Sequence, residues 1–222
     1  MIDFILSVLP LLLMACIVPT TRMVYKKNIK FLTGVFLGTF LFLLSFGCMC
    51  YTASVTNGYN VIDNTVNSMF ADLEVAFKAV PGITEEMMPR INMYLNTLKE
   101  TYFIMLPSML VVTALTWSYT IHMLAKGILS LFRKDVSGFS KLCDFKMPRM
   151  AMFLTVLCLI LSMIFESQRI GYAFLNFASI MISVTAFCGL SVIDFWLRKK
   201  IRYSILRVPI YFVGIFVLSL LL

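Results

Sequence analysis

The sequence predicts an all-α integral membrane protein: a polytopic transmembrane helical bundle of about six spans, with an extracytoplasmic two-helix excursion. Three observations carry that prediction. Of 222 residues, 60% are hydrophobic and 14% charged, at a mean hydropathy of +0.92, whereas a soluble domain carries about 25% charged residues. The apolar residues run in long unbroken blocks, not at amphipathic spacing, so lipid is the solvent for most of the chain. The basic residues gather in connectors between those blocks. A soluble enzyme, a disordered chain and a disulfide-stapled secreted domain are thereby excluded.

A bilayer core about 30 Å thick takes roughly 20 residues of apolar helix, and six blocks qualify. The first, 4–18, lies between Asp3 and a turn at Pro19–Arg22. Its bases follow the apolar run and no positive segment precedes it, so it reads as a span and not as a secretory signal. The second, 31–53, lies between Lys30 and the polar turn Thr56-Asn57-Gly58. Its Gly34-Val-Phe-Leu-Gly38 spacing, with Ser45 two turns on, puts small residues on one face and allows close helix packing inside the bundle. The third, 102–123, ends where His122 and Lys126 mark its exit from hydrocarbon. The fourth, fifth and sixth are 150–165, 172–197 and 205–222. Pro10, Pro107 and Pro209 can kink spans one, three and six.

Charge then sets the orientation. Fifteen of the 19 basic residues fall in the three connectors after spans one, three and five, and only Lys78, Arg90, Lys99 and Arg169 fall on the other side. In 54–101 three bases meet six acids. The positive-inside rule predicts a multi-pass protein of the cell membrane with both termini extracytoplasmic and the basic loops in the cytoplasm. The net charge of +8 is explained by those loops, and nucleic acid is not an expected partner. No cysteine lies in the excursion, so no structural disulfide is expected. Cys48 and Cys50 point to different helix faces, which makes a metal pair there improbable.

The excursion 54–101 carries helical pattern. Val66, Met69, Phe70, Leu73, Phe77 and Val80 recur mostly at three and four, with Asp63 or Asn64 as the cap and Pro81-Gly82 as the stop. A second helix is expected from near Thr84, its first turns disturbed by Pro89. Its stripe is Ile91, Tyr94, Leu95 and Leu98, and it runs on into the third span. The two helices form a cap over the bundle, or a lid or docking surface.

Polar residues inside a span are the best pointers to function, because hydrocarbon penalises them. In the fifth span, Asn176, Ser183 and Asp194 fall within about 20° of one another on a helical projection, with Ser179 nearby. Glu166 and Arg169, in the short outer loop, can reach Asn176. The simplest reading is interhelical hydrogen bonding by the serines and an Asp194–Arg198 pair at the helix end. The sharper one is a solute-binding wall formed by Asn176, Ser179, Ser183, Glu166 and Arg169. His122, the only histidine, reads as structural before it reads as a proton relay. The 16 methionines follow no short repeated motif, so core filling outweighs metal binding. No HExxH, GxSxG, P-loop or close intramembrane carboxylate pair is present, so no catalysis, cofactor or metal is expected.

The loop ending Phe145-Lys146-Met147-Pro148-Arg149 leads directly into span four. The fifth span has Asn176 early and Gly189-Leu190-Ser191-Val192-Ile193 late. Asn60-Val61-Ile62-Asp63 precedes the excursion helix, and Ile128-Leu129-Ser130-Leu131-Phe132 closes the third apolar run. On these residues the chain resembles the YybS-like family of multi-spanning bacterial membrane proteins, over about two-thirds of its length. That family is remotely similar to the substrate-binding S components of energy-coupling-factor vitamin transporters. The resemblance implies a helical bundle that takes a small solute from outside. The chain departs from that family's pattern in being short at its N-terminus, where members usually have further spans.

Two functions are expected from these readings. One is solute binding related to transport, at the Asn176 face. The other is a non-transporting scaffold or assembly protein whose outer helices dock a membrane-protein partner or a second copy. The lipid bilayer is the partner common to both.

Overall fold

The computed structural model describes residues 15–81, 83–84, 86–139, 149–165 and 169–200, apart from the side chains at 149, 187, 190, 191, 194, 197 and 198. Among these residues there are six helices and no strand: α1 Val18–Tyr25, α2 Phe31–Asn57, α3 Val61–Lys78, α4 Met88–Leu131, α5 Arg149–Ile164 and α6 Arg169–Lys200. Three of them, α2, α4 and the 169–186 stretch of α6, are long and apolar enough to cross a membrane, and α5 is a shorter apolar helix. They coincide with spans two to five of the sequence reading. Most of span one, and all of span six, lie outside the described residues.

Several boundaries differ from expectation, each for a local reason. Pro19–Arg22, read as a turn, is helical within α1. Pro19 occupies the first turn, where its missing N–H has no intrahelical partner to lose. α3 is capped by Asn60, not by Asp63 or Asn64. The Asn60 Oδ1 accepts from Ile62 N at 3.0 Å and Asp63 N at 3.4 Å. Asn60 also has extended backbone (φ −69°, ψ 110°), the conformation a cap needs. The next helix begins at Met88, four residues after Thr84. Pro89 therefore sits in the first turn of α4 and does not disturb it.

α4 is continuous for 44 residues, through Pro107 and past His122 and Lys126. At 1.5 Å per residue it is roughly 66 Å long, about twice the hydrocarbon thickness. The segments read from sequence as the second excursion helix and the third apolar block are thus one continuous helix.

The chain divides into two compact units. Of the described residues, one holds those up to Pro19 together with Phe36–Ile121; the other holds Thr20–Val35 and those from His122 onward. In the first unit, Ile17, Phe42 and Ala114 are buried, with Leu43, Phe46, Met49 and Ile121 packed against them. The Ser45 hydroxyl donates to Cys16 Sγ at 3.1 Å, so the small polar residue of span two meets its partner within the unit. The turn between α2 and α3 uses Gly58 at φ +72°, a conformation that side chains resist. The Phe70 and Tyr102 rings meet edge to face at 6.2 Å, bringing α3 against α4.

In the second unit, α5 packs against α6, and Phe165 stacks at a tilt on Phe174 at 6.4 Å. Elsewhere in the unit, His122 is fully buried, with Phe31 edge-on at 5.9 Å and Phe139 beyond Phe31 at 6.3 Å. Gly34 is buried beside them. A Cβ at Gly34 would overlap Val24 and come to 3.2 Å from His122 Nε2. The first glycine of the small-residue motif is therefore there for close approach.

Candidate functional site

The sequence-predicted site lies on α6. The Asn176 amide donates to Tyr172 O at 2.9 Å, the Ser179 hydroxyl to Leu175 O at 2.9 Å, and the Ser183 hydroxyl to Ser179 O at 3.0 Å. All three reach back one turn along their own helix, the arrangement by which isolated polar side chains are tolerated in lipid. Ser183 is buried, Asn176 and Ser179 are half-buried, and Arg169 is exposed at the first residue of α6. The structure thus keeps Asn176, Ser179 and Ser183 on one helix. Glu166, like the side chains of Asp194 and Arg198, lies outside the described residues.

A different feature, in the first unit, has the dimensions of a ligand site. Beside the second half of α2 and the α2–α3 turn runs a groove of about 710 Å³. Phe46, Gly47, Cys50 and Leu110 line its apolar length, and Ser54 and Asn60 lie at the turn. A Cβ on Gly47 would meet nothing within 4 Å, so this glycine opens space where Gly34 permits contact. Ligand pockets commonly measure 300–1,000 Å³ and are mostly apolar with a few polar groups. Gly47, Cys50 and Ser54 stand at i, i+3 and i+7. That run of small residues was the signal in the sequence, and attention to Gly34 and Gly38 alone misses it.

The excursion contributes a smaller polar groove of about 220 Å³ between α3 and α4, lined by Asn67, Glu74, Asn92, Asn96 and Lys99 among others. Lys78 Nζ sits 2.8 Å from the Glu74 carboxylate. That hydrogen bond and charge, helped by the Asn92 side chain, hold Glu74 below the usual carboxylate range. The apolar stripes cover each other only in part. Val66 and Leu95 are buried, while Leu73, Phe77, Tyr94 and Leu98 remain exposed.

The second unit has a basic junction. Lys27, in left-handed backbone (φ 61°), ends the turn after α1, and its Nζ lies 2.8 Å from the Asp135 carboxylate in the loop after α4. Lys27, with the Ser137 amide and hydroxyl, lowers the pKa of Asp135 to about 2. Lys126 donates to Phe139 O at 3.3 Å. Gly138 lies so close to the Val24 carbonyl that a Cβ there would overlap it. An ion pair between residues 108 apart has no signature in sequence. Among the described residues no group of three or more His, Cys, Asp or Glu is arranged to hold a metal.

No curated protein and no solved structure matches the chain. A family model does match, over residues 1–222, and its description agrees with the apolar helices found here. The chain belongs to the DUF2232 family, described as a predicted membrane protein.

Proposed function

We propose that this is a six-span membrane protein, both termini extracytoplasmic, that binds a small amphiphilic solute in the groove beside the α2–α3 turn, in a transport-related role. The observation that carries the reading is the groove itself: about 710 Å³, apolar along its length, with Ser54 and Asn60 at one end. A ligand with an apolar body and one polar end matches that lining. On the orientation given by the basic loops, the polar end faces outside. The resemblance to the YybS-like family, and through it to S components, supports the same class of function. The reading assigns no catalysis, because the sequence motifs that would carry it are absent.

The test uses dansyl-undecanoic acid as the amphiphile, with the protein in nanodiscs. Gly47→Phe places a ring in open space, so it should abolish saturable dansyl fluorescence enhancement with little change in melting temperature. Retained binding in Gly47→Phe overturns the groove. Binding that is instead lost in Asn176→Leu with Ser183→Leu moves the site to α6.

A second reading, docking of a protein partner, is favoured by one observation: Tyr94 and Leu98 are 65% and 57% exposed on the excursion. Photo-crosslinking from Leu98 to another chain would support it.

A further inference from the structure

We propose that the basic junction of the second unit is a binding site for the headgroup of an anionic phospholipid. Two turns meet there, after α1 and after α4, and they are fixed to one another. The Lys27–Asp135 pair and the seating of Gly138 on Val24 join the two turns, and the Lys126 bond to the Phe139 carbonyl holds the second turn against α4.

Within 20–30 and 122–139 there are seven bases (Arg22, Lys26, Lys27, Lys30, Lys126, Arg133, Lys134) and one acid, Asp135. That acid is already paired with Lys27, so the surplus charge is positive. Lys26, Lys30, Arg133 and Lys134 are exposed.

Between the turns lies a cleft of about 370 Å³ lined by Lys27, Asn28, Ile29, Lys30, Ser137 and Gly138. Its lining is mainly polar, which suits a phosphodiester and not an acyl chain. Depth selects the source of that phosphate. Lys30 immediately precedes the apolar run of α2, which puts the cleft at headgroup level. Leu32, Ile128 and Phe132, on the flanking segments of the same unit, are 43%, 55% and 72% exposed. A lipid can lay its chains on such residues while its phosphate meets the cations. A soluble phosphate compound has no use for that surface.

The experiment counts bound lipid by native mass spectrometry of the full chain in detergent, with phosphatidylglycerol and phosphatidylcholine offered in competition. Wild type should retain phosphatidylglycerol preferentially. Lys26→Gln with Lys30→Gln should weaken that retention roughly thirty-fold, at about 1 kcal/mol per base near a membrane surface. Lys199→Gln with Lys200→Gln, exposed bases elsewhere in the unit, should leave it unchanged. Equal retention of both lipids by wild type overturns the proposal, and so does an equal loss in the two double variants. Displacement of the lipid by glycerol phosphate at matched concentration also overturns it, because the ligand would then be a free phosphate. Should the Lys26/Lys30 variant not fold, wild type alone decides. Retention of phosphatidylglycerol must fall as salt rises from 0.1 to 1 M, and a flat salt response sinks the site.

Discussion

Position 34 has room for a hydrogen and nothing more. Replacing Gly34 by Ala drives a methyl into Val24 and against His122, so it should cost about 1–3 kcal/mol through overpacking. Gly47→Ala, which meets open space, should be neutral or stabilising by up to about 1 kcal/mol. Denaturation midpoints of the two variants in one detergent make the comparison. Asp135 gives a pH test. Its pKa of about 2 lies below the unfolded value of about 3.9. The stability it contributes is therefore present above about pH 4 and lost as pH falls towards 2. Asp135→Asn should melt slightly below wild type at pH 7, and the gap should close between about pH 4 and pH 2. The small residue at Gly34 was legible in its spacing to Gly38. That His122 lies beneath it was not, because contacts between distant segments leave no periodic trace.

Helix pattern was readable wherever residues obey a period, and helix ends were misread where a single side chain decides. The α3 stripe from Val66 to Phe77 was visible at spacings of three and four, and so was the continuity of the second excursion helix with the third span. The sequence pattern places the cap three or four residues late. Asp63 and Asn64 are both competent caps, and only backbone conformation selects Asn60. Removing that cap with Asn60→Ala should cost about 1 kcal/mol and be read as faster amide exchange at Ile62 and Asp63. For α4, spin labels at Met93 and Trp117 in a cysteine-free background should lie about 36 Å apart along the axis. A clearly shorter distance would mean that Pro107 breaks the rod.

At the scale of the molecule, the alternation of apolar blocks and basic connectors was legible because lipid tolerates little else. The groove was not, because it is made by what side chains leave empty, and composition does not record emptiness. The small residues Gly47, Cys50 and Ser54 were visible. That they line a groove of about 710 Å³ emerged only with α2, α3 and α4 placed together. The proposed topology predicts that a cysteine at Asn57 reacts with an impermeant maleimide in intact cells, while one at Ser137 reacts only after lysis. Reaction at Ser137 from outside would invert the orientation and turn the groove proposed for the amphiphile towards the cytoplasm.

The tightness at Gly34 also reaches into how this chain can change over evolution. Val24 and Gly34 share one small volume, so neither can drift alone. Relatives that carry a bulkier residue at 34 should have shed bulk at 24, and those that keep valine there should keep glycine as its counterpart. The two positions would mutate as a couple, although nine residues separate them in the chain.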